Sequence, residues 1–171
     1  MNLQFGLRGA DIARREIGIV SWLNFRDPMR GKELGGLYGE LVTDPYAHQV
    51  GMLTQLALKN LVVRGTVRPT DLVDRGLGYR AYSLVDRSAA GDVDPATVEL
   101  TPREMALMGF LDVRRGKAQT AAELDERLGL DQQAELPHAW RTEACLGHLA
   151  SLQLVVAVAN PPDAYRLPQP D

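Results

Sequence analysis

Residues 101–113 read TPREMALMGFLDV, and residues 15–25 read REIGIVSWLNF, a near copy of the last eleven of them. Thr101-Pro102-Arg103-Glu104 is a capping box with proline at the first helical position, so a helix is expected from Pro102 to about Val113. Met105, Met108 and Leu111, joined by Leu107 and Phe110, recur at helical spacing, and Ile17, Val20 and Leu23 take the matching positions in the other copy. Three more matches follow in the same order. ELGGLYG (33–39) answers to ELDERLG (123–129), LALKNLVV (56–63) to LASLQLVV (149–156), and AYSL (81–84) to AYRL (164–167). The offsets are 88, 90, 93 and 83 residues. A unit of about 80 residues is therefore written twice, with loops that changed length between packed elements.

Working outward, Thr120-Ala-Ala-Glu123 is a second capping box, opening a short helix through Leu128 that Gly129 would stop. Pro137 would open a third helix reaching about Gln153. The β-branched run 155–158, the breaker Asn160-Pro161-Pro162-Asp163 and the strand 164–167 close the copy. The first copy repeats this order: a helix over 11–25, a short helix over 32–41, a third helix capped by Asp44-Pro45, and strands over 61–67 and 79–85. Residues 86–100, polar with glycine and proline, read as the joining segment. The expectation is a mainly α fold with small β-hairpins (α+β), with domains at 1–86 and 101–171 and a linker at 87–100.

Three helices and a hairpin, twice over, resemble the winged helix-turn-helix superfamily. The residues that carry the resemblance are LTPREMALMGFLD, TAAELDERLGLD and LGHLASLQLVVAV in the second copy, which is similar to MarR-like regulators. GYRAYSLVD in the first resembles the last wing strand of PadR-like regulators. The tandem arrangement is similar to that of the segregation and condensation protein B family. The resemblance implies double-stranded DNA binding in transcriptional regulation, with a protein-binding adaptor as the alternative. The insertion 131–136 before Pro137 departs from the pattern and would reposition the third helix of the second copy.

Mapped onto the first copy, the third helix offers Tyr46, His48, Gln49 and Thr54 to a groove, and the wing offers Arg64, Arg68, Arg75 and Arg80 to phosphates. The blander reading makes the arginines solvated side chains, partly paired with Asp71 and Asp74. Charge separates the copies: residues 1–90 carry 12 basic against 9 acidic side chains, and residues 91–171 carry 7 against 13. The second copy, with the acidic Pro-rich turn 159–163, reads as a unit for contact with a protein or a second copy.

His138, Cys145 and His148 fall near one helical face, but the match at offset 93 places Cys145 opposite Met52 and His148 opposite Gln55. They read as a core position and an exposed one rather than as metal ligands. Trp22 and Phe110 are equivalent and read as packing residues. The Arg15-Glu16 and Arg103-Glu104 pairs read as helix-start charges. Paired carboxylates, a phosphate-binding glycine loop and a nucleophile motif are all missing, so catalysis, a metal and a cofactor are not expected. A single cysteine fits a reducing cytoplasm. No apolar run reaches bilayer length and a signal peptide is not expected, so neither is a membrane location.

Overall fold

In the computed structural model, the residues described are 9–38, 52–70, 81–86, 94–114, 116–128, 142–162 and 164–168. They form a mixed α and β protein of two compact units, 1–99 and 100–171. In the first unit, helix α1 (Gly9–Phe25) leads to strand β1 (Met29–Arg30), helix α2 (Gly31–Leu37), helix α3 (Met52–Val63) and strands β2 (Val67–Pro69) and β3 (Ala81–Leu84). A short 3-10 turn, Pro95–Thr97, follows. The second unit repeats the order with α4 (Pro102–Val113), β4 (Gln119–Thr120), α5 (Ala121–Leu128), α6 (Thr142–Ser151), β5 (Val156–Val158) and β6 (Ala164–Arg166). Each unit carries one antiparallel three-stranded sheet, ordered β1-β3-β2 and β4-β6-β5.

The local signals explain the helix ends. Thr101 Oγ1 accepts the Glu104 N–H at 3.2 Å and Glu104 Oε1 accepts the Thr101 N–H at 3.0 Å, closing the capping box expected from the sequence. Thr120 Oγ1 caps α5 by accepting from Glu123 N–H at 3.1 Å. The buried stripe of α4 is Glu104, Leu107 and Leu111, with Met105 outside it and 62% exposed. Ile19, Trp22 and Leu23 of α1 are fully buried with Leu34, Leu58 and Leu61, each side chain worth about 1.5–3 kcal/mol of transfer free energy. Phe110, the counterpart of Trp22, is only half-buried.

Three expectations change. First, α3 continues through Val63, where a strand beginning at Leu61 was expected. Leu61 belongs to the buried face of the helix, and tertiary packing overrides the β preference of Val62-Val63. The strand is only Val67–Pro69. Second, β1 and β4, which periodicity cannot announce in two residues, add a third strand to each hairpin. Met29 pairs with Tyr82 and Gln119 with Tyr165. Third, residues 94–99 of the expected linker pack within the first unit, where Val98 is buried. The starts of both third helices (Asp44-Pro45 and Pro137), the insertion 131–136 and Gly129 lie outside the described residues.

The two third helices end alike. In α3 the Thr66 N–H donates to Leu61 C=O at 2.9 Å and the Gly65 N–H to Val62 C=O at 3.0 Å, with Gly65 at φ 78°. In α6 the Leu154 N–H donates to Leu149 C=O at 3.0 Å and the Gln153 N–H to Ala150 C=O at 2.9 Å, with Gln153 at φ 62°. Both are Schellman caps. They place Gly65 opposite Gln153 and Val67 opposite Val155, an offset of 88, and strand pairing agrees: Pro69 and Ala157 each sit across from the tyrosine of the central strand. The LVV match at offset 93 is therefore out of structural register by five residues.

Candidate nucleic-acid interface

In the correct register the two units share a set of polar positions. Thr54 matches Thr142, and both are fully buried. Ala57 matches Cys145, and Asn60 matches His148. The glutamates Glu16 and Glu104 match at the same offset. In the first unit the Asn60 amide donates to Glu16 Oε2 at 3.3 Å. In the second the ring N–H at Nδ1 of His148 donates to Glu104 Oε2 at 2.6 Å, and both side chains are fully buried. Each copy thus ties its first helix to its third through a carboxylate. His148 is a core residue rather than an exposed one, whereas its counterpart Asn60 is exposed, so the second unit encloses a contact that the first makes at its surface. Glu16 lies two turns inside α1, so its carboxylate answers to α3 and not to the helix dipole.

Cys145 is buried beside this pair. Burial pushes its thiol far above the ordinary range, the Glu104 charge adds to the effect, and Arg103 opposes it. It is a packed apolar group. Among the described residues no cluster of three or more metal-ligating side chains occurs.

The sheet of the first unit sorts its residues by face. Residues directly opposite each other share a face, and faces alternate along a strand. Met29, Tyr82, Val67 and Leu84 point to the core and are buried. Arg30, Ala81, Ser83 and Arg68 share the outer face. Arg30 and Arg68 are exposed and lie on the two flanking strands. Strand spacing and the two-residue stagger between Ala81 and Ser83 put their Cα atoms roughly 12 Å apart. In the second unit the corresponding positions hold Thr120 and Val156. Arg166 occupies the central strand there, half-buried, donating from Nη1 to the Leu167 carbonyl at 3.1 Å.

Of the candidate contact residues, Arg68 is exposed on β2. Arg64, at the end of α3, is ion-paired with buried Glu16, so part of its charge is already answered within the unit. Thr54 is fully buried and accepts from Arg15 Nη1 at 2.8 Å, so its hydroxyl serves the core and not a groove. Tyr46, His48, Gln49, Arg75 and Arg80 lie outside the described residues, as does the expected pairing with Asp71 and Asp74. Arg30 was not singled out from sequence. The signal that could have found it is its place opposite the central strand, which appears only once β1 pairs.

Among the described residues no helix is long and apolar enough to cross a membrane. Comparison of the chain with known protein families, with curated proteins and with solved structures found no match.

Proposed function

We propose that the chain is a tandem winged helix-turn-helix protein and that its first unit binds double-stranded DNA, in transcriptional regulation. Support for the fold assignment comes from the order helix, strand, helix, helix, strand, strand in each unit, with the first strand paired to the last. The observation that carries the DNA reading is the exposed pair Arg30 and Arg68 on one sheet face, at positions that are uncharged in the second unit. Two cations at that separation suit backbone phosphates, which position a protein on duplex without reading sequence. Tyr46, His48 and Gln49, with Arg75 and Arg80, are the candidates for the rest of the contact.

The test is fluorescence anisotropy of a random duplex against salt. Binding should weaken steeply as salt rises, and Arg30→Ala with Arg68→Ala should flatten the log–log slope by about 1–2, one phosphate per arginine. No binding at low salt would overturn the reading. A second reading, contact of the second unit with a protein or another copy, is favoured by Met105 and Val113, 62% and 79% exposed on α4. Their counterparts Ile17 and Phe25 are half-buried. Pull-down from lysate with and without nuclease separates the two.

A further inference from the structure

Arg15, in the middle of α1, is buried and satisfied by three other segments. Its Nε donates to Glu99 Oε1 at 3.0 Å, its Nη2 sits 2.9 Å from the same oxygen, and its Nη1 donates to Thr54 Oγ1 of α3. The guanidinium also stacks over the ring of Tyr38, 4.1 Å from its centroid. Tyr38 is the residue that caps the C-terminus of α2, and its hydroxyl donates to the Glu99 carbonyl at 3.1 Å. One cation thus joins the end of α2, Thr54 of α3 and the segment that follows the sheet. That segment carries a local turn of its own: Asp94 caps the 3-10 turn by accepting from Ala96 N–H, and Val98 is buried.

The two copies differ in concert at this place. A Cβ on Gly18 would lie 2.1 Å from the Tyr38 hydroxyl and 3.2 Å from the Glu99 carbonyl, so any larger residue would require Tyr38 and the Glu99 backbone to shift. The counterpart of Gly18 is Ala106, and that of Tyr38 is Leu128. Arginine and threonine are kept in both copies, as Arg15 with Thr54 and Arg103 with Thr142. Glycine and tyrosine, the residues that make room for the segment and hold it, occur only in the first.

We propose that Asp94–Glu99 is a strap seated in a site built for it in the first unit, and that through Arg15 it sets the geometry of α2 against α3. The functional half of this inference rests on the DNA reading, since in a helix-turn-helix those two helices fix how the third enters the groove. Glu99 is then a positioning residue outside both helix-turn-helix segments: it touches no nucleic acid and acts through Arg15.

The test uses the full chain with Val98→Cys as a reporter, labelled by a thiol reagent in native buffer, where buried Cys145 stays protected. The reporter alone should react slowly. Adding Glu99→Gln should speed labelling about tenfold or more, the scale of a lost charge-assisted hydrogen bond. Gly18→Ala with Tyr38→Leu, which installs the second unit's residues and guards against simple misfolding, should free the strap to a similar degree while far-UV circular dichroism stays unchanged. Both changes should weaken duplex binding severalfold without changing its salt slope, whereas Arg68→Ala changes the slope. Fast labelling of the reporter alone, or unchanged labelling in both variants, overturns the strap. A freed strap with undiminished duplex affinity overturns its positioning role. If the native chain binds no duplex, the DNA reading fails by itself, and the labelling rates still decide the strap.

Discussion

The buried Glu104–His148 pair makes the sharpest energetic prediction. His148→Ala leaves a carboxylate with no exposure and one acceptor unanswered, because Glu104 Oε1 is occupied by the Thr101 N–H while Oε2 faces the ring. Removing one member of a buried pair costs about 3–5 kcal/mol, most of it the uncompensated charge. A unit of this size is stabilised by only about 4–10 kcal/mol, so the loss is a large share of the whole. His148→Asn is the informative comparison, because Asn60 already does this task for Glu16 in the first unit. An asparagine amide can donate to Glu104, and about half or more of the loss should return, the net worth of a hydrogen bond to a charged group being about 1.5–3 kcal/mol. The assay is native-state hydrogen exchange of buried amides in α4 and α6, with α1 and α3 of the first unit as the internal reference. A loss below about 1 kcal/mol for His148→Ala, or equal losses for alanine and asparagine, would refute the claim that this carboxylate contact holds the second unit together.

Gly65→Ala should destabilise the first unit by about 1–2 kcal/mol from backbone strain alone, since a left-handed residue with a Cβ costs that much and no atom lies within 4 Å of the new methyl. Gln153→Gly should do the reverse, stabilising the second unit by up to about 1 kcal/mol, less the entropy that glycine adds to the unfolded chain. Urea melts of the two variants check the pair, and changes of the same sign would contradict the shared cap. Cys145 supplies a pH dependence. Its thiol is held protonated in the folded state, whereas an unfolded thiol ionises near ~8.5. The sign follows from a folded value raised above the unfolded one: the stabilisation is complete below pH ~8.5 and declines as pH rises past it, by ~1.4 kcal/mol per unit well above that point. Cys145→Ala, which installs the residue at position 57, should remove that slope between pH 8 and 10 in exchange-monitored stability of the second unit. An unchanged slope would place its origin elsewhere.

Local chemistry was readable along the chain wherever a few adjacent residues decide the outcome. The capping box at Thr101 and Glu104, the short helix behind Thr120 and the strands around AYSL and AYRL each depend on neighbours in sequence, and each appears where its signal stands. Arg68 was legible for the same reason, as a charged residue in an expected wing. Arg30 and Glu99 were not. One gains its meaning from a two-residue strand in which it pairs across fifty-one positions, the other from an ion pair spanning eighty-four.

The repeat shows where the division falls. The amino-acid sequence by itself determined that a unit of about 80 residues occurs twice, which helices cap themselves, and that the copies differ in charge. Tertiary structure alone decided the register of the third helix, because an LVV run is equally apolar as the end of a helix or as an approach to a strand. Only packing of Leu61 and Leu149 into their cores, with the caps that follow, settles which it is. That register gave Cys145 the buried Ala57 as its counterpart instead of Met52, which is 64% exposed, and made His148, expected to be exposed, the partner of a buried glutamate. The same long-range packing drew residues 94–99 out of the expected linker and onto Arg15, since the energy of that contact resides in groups that sequence distance conceals.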